Sequence, residues 1–313
     1  MPENNYYYKA FGLTFRSCIE HPEFVAQPST SEFDCVISFG SVPPNLNNPD
    51  AVGGVYQFKG QQFILRIEHV GRYLIENGDK ITIEKLPKAT NRETILFLWA
   101  SAVAVLLHQR GKLIVHGSSI MHAEHAIIFS GSSGSGKSTI ASTFATHKGA
   151  MIISDDISAI SIDPFGIPVV LPGYPLVKLW RDSSDKLGLE WDEGRLIRTR
   201  VNKMMVNIND KFVHHAVPLR QFYLLSYKNN GPVAINEVNG YKKLELLTGK
   251  IFRKNFLKKQ ESGTFDIFTE ASKILPKIRI CTLERQHGIG RVDETIEMIE
   301  QDLLQSGIIR DIR

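Results

Sequence analysis

The chain has 313 residues, a formal net charge of +4, 42% apolar residues and 22% charged ones. Such a composition buries a real core and excludes global disorder, and the length suits two domains. Basic residues are spread along the chain apart from clusters at 195–203 and 250–259, so the charge does not imply nucleic-acid binding.

Cys18, Cys35 and Cys281 are odd in number and widely spaced, which argues against a disulfide framework or a zinc site and suits a reducing cytoplasm. Residues 1–9 lack the basic start and apolar core of an export signal. Residues 1–91 carry strand signals with Gly, Pro and Asn punctuation, and form an expected β-rich N-terminal domain. Its clearest piece is a meander: 62–67, 72–75, a turn at Asn77-Gly78-Asp79, then 80–85.

The most apolar stretch, Thr94 to Leu107, has 14 residues, against roughly 20 for a membrane span. It reads as a buried helix over 92–110, closed by His108-Gln109-Arg110-Gly111. A strand over 112–117 follows, ending at His116-Gly117. Strands and helices then alternate: a strand at 125–130, a glycine-rich loop, a helix from Lys137 to about His147, and an apolar run at 150–153 ending in Ser154-Asp155-Asp156. That order predicts an α/β domain over 92–313 with its chemistry at strand ends. Further strands are expected at 219–225 and 277–283, and helices at 243–257 and 293–305.

The loop Gly131-Ser132-Ser133-Gly134-Ser135-Gly136-Lys137-Ser138-Thr139 matches the Walker A pattern, with an apolar strand before it and a helix after it. Glycines let successive backbone N–H groups converge on phosphate oxygens at a helix N-terminus. Lys137 supplies a cation for the β and γ phosphates, and the Ser138 hydroxyl suits Mg²⁺. The loop therefore predicts binding of a nucleoside triphosphate with Mg²⁺. Asp155 and Asp156 stand 18 and 19 residues after Lys137, where a metal-binding acid is expected. One carboxylate suffices for the metal, leaving a second to take a proton from an attacking hydroxyl.

With His116-Gly117, the loop and the Asp pair resemble the catalytic domain of HPr kinase/phosphorylase, a bacterial Ser kinase family whose P-loop fold is related to phosphoenolpyruvate carboxykinase. The resemblance covers about residues 110–225. It implies Asp155 as base, Asp156 and His116 flanking the transferred phosphate, Lys137 binding it, and Ser138 with Asp156 at the metal. It also implies ATP as cofactor and homo-oligomeric assembly.

The β-rich leader and the His116-Gly-Ser-Ser119 segment look similar to divergent members, one group of which phosphorylates the C-terminal serine of lasso-peptide precursors. The segment from Pro172 to Trp180 departs from the Arg-Gly-Leu-Gly signature of the bifunctional enzymes, which puts HPr as substrate, and phosphorylase activity, in doubt. Basic residues at 195–203, with Arg200 and Lys203 as candidates, fall where the family places a basic loop near the phosphates, and equally read as a solvated charge run.

His122 with His125, and the pair His214-His215, read as structural; Trp99, Trp180 and Trp191 read as packing. The expected activity is a Ser kinase acting on a peptide or protein, with a precursor peptide as favoured acceptor. The rivals are a small-molecule kinase and a nucleotide-dependent switch without phosphotransfer.

Overall fold

The computed structural model describes residues 5–21, 24–29, 32–186, 196–198, 201–254, 267–286 and 292–310. The chain is mixed α/β and divides into two compact units, Met1–Ile114 with Phe252–Asp266, and Val115–Ile251 with Ile267–Arg313. The expected boundary at 91/92 assigns the apolar helix to the second domain; this division places it in the first.

The first unit holds β1 (Tyr6–Ala10), β2 (Leu13–Ser17), β3 (Cys35–Phe39), β4 (Ala51–Val52), β5 (Tyr56–Lys59), β6 (Gln62–Ile67), β7 (Gly71–Glu76) and β8 (Lys80–Lys85). They form one sheet in the order β1-β2-β3-β8-β7-β6-β5-β4. The expected meander is β6-β7-β8. Its second turn has Asn77 and Gly78 at φ +54° and +70°, a left-handed pair whose twist suits the flanking strands, and Asp79 completes the three residues between the paired Glu76 and Lys80.

The apolar helix is α1 (Asn91–Phe97), a π-turn (Leu98–Ala102) and α2 (Val103–Gln109). Thr90 caps it reciprocally: its side chain accepts from the Glu93 N–H, and the Glu93 carboxylate accepts from the Thr90 N–H. Leu98, Ala102, Val103, Leu106 and Leu107 are fully buried. Trp99 packs against Phe15, His21 and Phe24 at ring separations of 5.1, 5.3 and 4.8 Å. Among the described residues no helix is long and apolar enough to cross a membrane.

The second unit takes up β9 (Leu113–His122) from Val115 onward, then β10 (His125–Gly131), α3 (Lys137–His147), β11 (Met151–Ser154), β12 (Ile157–Ile162) and β13 (Pro168–Leu171). After these come β14 (Leu176–Trp180), α4 (Arg181–Lys186), β15 (Leu196–Arg198), β16 (Val201–Asn207), β17 (Val217–Lys228), β18 (Ala234–Glu237) and α5 (Tyr241–Gly249). The chain closes with α6 (Ile267–Ile274), β19 (Arg279–Gln286) and α7 (Val292–Gln305).

The centre of the main sheet is parallel, with β10 beside β17 and β17 beside β19; β9 runs antiparallel to β10, and β18 antiparallel to β19. The strand expected to end at His116 continues to His122, because its register with β10 carries on through Ser118, Ser119 and Ile120 to a turn at Ala123-Glu124. The helix expected over 243–257 stops at Gly249; its residues 255–257 lie outside the described residues.

The core gathers Ile127 and Phe129 of β10, Ile140 and Phe144 of α3, Tyr223 of β17, Leu283 of β19, and Ile299 and Leu303 of α7. Arg279 makes a two-pronged ion pair with Asp302 at 2.6 and 2.8 Å, and Tyr223 donates to the same carboxylate, which fastens α7 to the sheet. A separate three-stranded sheet, β14-β16-β15, turns Val177, Leu179, Met204 and Val206 into this core. Strand period two then puts Lys178, Trp180 and Lys203 on its other face, with Trp180 and Lys203 cross-strand partners.

Candidate functional site

Strand β10 ends at Gly131, beside Leu225 of β17, and the chain must turn sharply to start α3 at Lys137. Gly134 and Gly136 supply that turn at φ +82° and +89°, conformations that cost an L side chain roughly 1–2 kcal/mol. The Ser135 N–H donates back to the Ser132 carbonyl at 3.1 Å, which tightens the loop. The Lys137 ammonium lies within this loop, donating to the carbonyls of Gly131 at 3.2 Å and Ser132 at 2.9 Å. Burial holds its pKa below the usual lysine range, against the pull of Asp155 and Asp156.

Facing the loop is the bend between β11 and β12, where Asp155 and Asp156 send their side chains to different partners. Asp155 is 5% exposed. Its Oδ1 accepts from the hydroxyls of Ser138 at 2.8 Å and Ser118 at 2.5 Å, and its Oδ2 accepts from the Lys178 backbone N–H at 2.8 Å. Asp156 has φ +72°, a left-handed conformation that Asp tolerates better than most residues. That geometry turns its carbonyl back onto β9, where the Gly117 N–H and His116 Nδ1 donate to it at 3.2 and 2.8 Å.

The Asp156 carboxylate faces the Lys178 ammonium at 2.6 Å. Burial alone would raise this carboxyl, yet Lys178, with help from His116 and Lys203, brings it down to about 2. Burial also works against the Lys178 cation, and Asp156 reverses it, so the lysine sits above its ordinary range. His116 is held below the usual imidazole range by burial and by the Lys137 charge, which outweigh Asp156. Its Nδ1–H is committed to the Asp156 carbonyl, which only accepts, so the neutral ring keeps its lone pair on Nε2.

The cleft between loop and bend is completed by the outer face of the small sheet. Trp180 is 42% exposed and lines the cleft, where packing was expected, and the Lys203 ammonium lies 4.8 Å above its ring centroid. Lys137, Lys178 and Lys203 thus meet Asp155 and Asp156 in one depression. Backbone donors, a helix N-terminus and an excess of cations make it suited to a polyanion.

No family model matches this chain, and no curated protein matches it. Among solved structures it is similar to "Structure of the Hpr(Ser) kinase/phosphatase from Coxiella burnetii", with 10% sequence identity and a TM-score of 0.31, over 62% of this chain and 93% of that one.

Of the expected site residues, His116, Ser133, Gly134, Gly136, Lys137, Ser138, Thr139, Asp155, Asp156 and Lys203 line the cleft. Arg200 and Trp191 lie outside the described residues. The expected metal pair of Ser138 with Asp156 is not brought together, because Asp156 is drawn to Lys178 while Ser138 donates to Asp155. Three contributors escape sequence reading. Ser118 lies in the His116-Gly-Ser-Ser119 segment but has no role assigned by it, Lys178 sits inside a segment notable only for lacking a family signature, and Trp180 reads as a packing residue. Alternation along β14 carried a signal for the last two, since Val177 and Leu179 are apolar while Lys178 and Trp180 share the opposite parity.

Proposed function

We propose that this chain is an ATP- and Mg²⁺-dependent kinase that transfers the γ-phosphate to a Ser hydroxyl of a peptide or protein. A ribosomal precursor peptide of the lasso type is the favoured acceptor, from the resemblance carried by His116-Gly-Ser-Ser119 and the β-rich leader. The observation that carries the kinase reading is Asp155 hydrogen-bonded to Ser138 across the cleft from Lys137, with Asp156, Lys178 and His116 around it. A phosphate-binding loop alone serves motors and switches equally well. A loop faced by two carboxylates, a neutral imidazole and a paired lysine has the groups phosphoryl transfer requires: positioning, charge neutralisation and a proton acceptor.

In this reading the N–H groups of 131–139 hold the phosphates and Lys137 leaves the loop carbonyls to neutralise them. The Ser138 hydroxyl and Asp155 Oδ1, 2.8 Å apart, are hard oxygen donors of the kind Mg²⁺ takes and would hold it here. The metal, when bound, adds charge neutralisation at the transferring phosphoryl group. Lys178 keeps Asp156 ionised beside that group. As the alternative to holding the metal, Asp155 serves as base through Oδ1 once the Ser138 hydroxyl turns away from it.

One observation favours a second assignment of the base. His116 is held neutral, with its basic nitrogen fixed at Nε2 by the Asp156 carbonyl. A His base would leave activity flat at alkaline pH and remove it as pH falls below the usual imidazole range. His116→Asn should abolish transfer, and the acid limb with it, if the ring is the base, and leave transfer near the wild-type rate if it is not.

The direct test is incubation with γ-labelled ATP, Mg²⁺ and candidate precursor peptides, with the new phosphate located by mass spectrometry. The expected result is one phosphoserine on the peptide. Nucleotide hydrolysis without any labelled acceptor would instead favour a nucleotide-dependent switch. Gly136→Ala should weaken ATP binding roughly tenfold or more, since alanine resists the left-handed conformation and its Cβ would lie 2.2 Å from Arg285 Nη2. Titration with a fluorescent nucleotide measures it; unchanged affinity would remove the loop from the site.

A further inference from the structure

Against the loop, and not among the residues that line the cleft, lies Arg285 of β19, only 4% exposed. Buried arginines are nearly always paired with a carboxylate. Among the described residues Arg285 has no such partner, and its Nε is buried without a hydrogen bond. Its Nη2 donates to the Ser135 carbonyl at 3.0 Å and to the Tyr227 hydroxyl at 3.3 Å. Tyr227, its register partner on β17, donates in turn to the Gly134 carbonyl at 2.9 Å and lays its ring 5.1 Å from the guanidinium carbon.

Two consecutive loop carbonyls are therefore held by one cation, directly and through a hydroxyl. A trans peptide points its N–H opposite to its C=O. With the Ser135 carbonyl drawn to Arg285, the Gly136 N–H is turned the other way. The contact also explains the glycine, since a Cβ at 136 would collide with Nη2.

We propose that Arg285 is a positioning residue of the phosphate loop whose charge, without a carboxylate partner among the described residues, is matched by the ligand's phosphates, so that it selects for a polyphosphate chain over a monophosphate. This rests on the loop binding a nucleotide, as read above. An uncompensated buried cation gains free energy from each added phosphate charge, and the gain is large because little water screens it. A purely structural brace would affect all ligands of the loop alike.

The test is titration of the full chain with ATP, ADP and AMP for wild type, Arg285→Gln, Arg285→Lys and Tyr227→Phe. For Arg285→Gln the expected loss is about 30-fold for ATP, about tenfold for ADP and no more than about threefold for AMP. Arg285→Lys keeps the charge without the fork, and should recover most of the ATP loss. Tyr227→Phe should cost ATP about threefold more than AMP, and it decides the matter if Arg285→Gln does not fold. An equal loss for all three nucleotides, no loss, or no recovery in Arg285→Lys would overturn the assignment while leaving wild-type nucleotide binding intact. A wild type that binds none of the three would overturn the nucleotide reading, and this inference with it.

Discussion

Asp155→Asn is expected to lower phosphate transfer to the acceptor by roughly 10³-fold while leaving nucleotide bound. Asp155 touches both sides of the cleft. It accepts from Ser138 at the start of α3, from Ser118 on β9, and from the Lys178 backbone on β14. Asparagine fills the same volume, but one of its two terminal atoms becomes an NH₂ donor. Whichever way it faces, that donor meets another donor: two hydroxyls at the Oδ1 position or a backbone N–H at the Oδ2 position. The hydroxyls can rotate and the N–H cannot, so the NH₂ should settle at the Oδ1 position and turn Ser138 away.

The variant thus loses both the negative charge and the acceptor beside Ser138, whether Asp155 acts as base or holds the metal. Single-turnover transfer of labelled phosphate, paired with nucleotide titration, separates chemistry from binding. Transfer at the wild-type rate would remove Asp155 from either role.

Lys178→Met is the second large effect, seen first in stability. The Lys178–Asp156 pair measures 2.6 Å, with side chains 13% and 26% exposed. Removing one partner of such a pair leaves an uncompensated charge and should destabilise the protein by about 3 kcal/mol at neutral pH.

The pH dependence identifies the cause. In the wild type the Asp156 carboxyl is held at about 2, below the roughly 3.9 of an unfolded Asp. Its contribution is therefore complete above about pH 4 and is lost as pH falls toward 2. Lys178 is shifted upward, so its contribution is complete below its unfolded pKa and is lost only at strongly alkaline pH. Without Lys178, Asp156 keeps His116 and Lys203 nearby, but burial then dominates and its pKa rises. The gap between wild type and Lys178→Met should be widest near pH 7 and should narrow on acidification below pH 4. Denaturant melts across that range measure it, and a constant gap would show that packing, not charge, sets the loss.

Much of the local structure is legible in the residues. The hairpin at Asn77-Gly78 and the helix start at Thr90 with Glu93 each follow from a backbone preference or a hydrogen bond between near neighbours in sequence. So does the strand, loop and helix of 125–147, where three glycines bracket the turn. Strand alternation also separates the buried from the exposed face of β14, once its parity is noticed.

The partners of the charged groups were not legible. Asp155 and Asp156 are neighbours in the chain, and nothing local says which one meets Ser138. That choice is made at a bend where Asp156 adopts a left-handed backbone, its carbonyl captured by β9 and its carboxylate by a lysine 22 residues later. Arg285 lies 150 residues beyond Ser135 and meets it only because β17 and β19 run parallel in register, Tyr227 beside Arg285. By itself the sequence determined a glycine-rich strand–loop–helix of Walker A pattern and a mixed α/β chain, because glycine conformation, capping and periodicity act over a few residues. The tertiary structure alone decided which acid stands by Ser138, which lysine keeps the other ionised and which cation lies against the loop, because strand register and long-range electrostatics set those pairings.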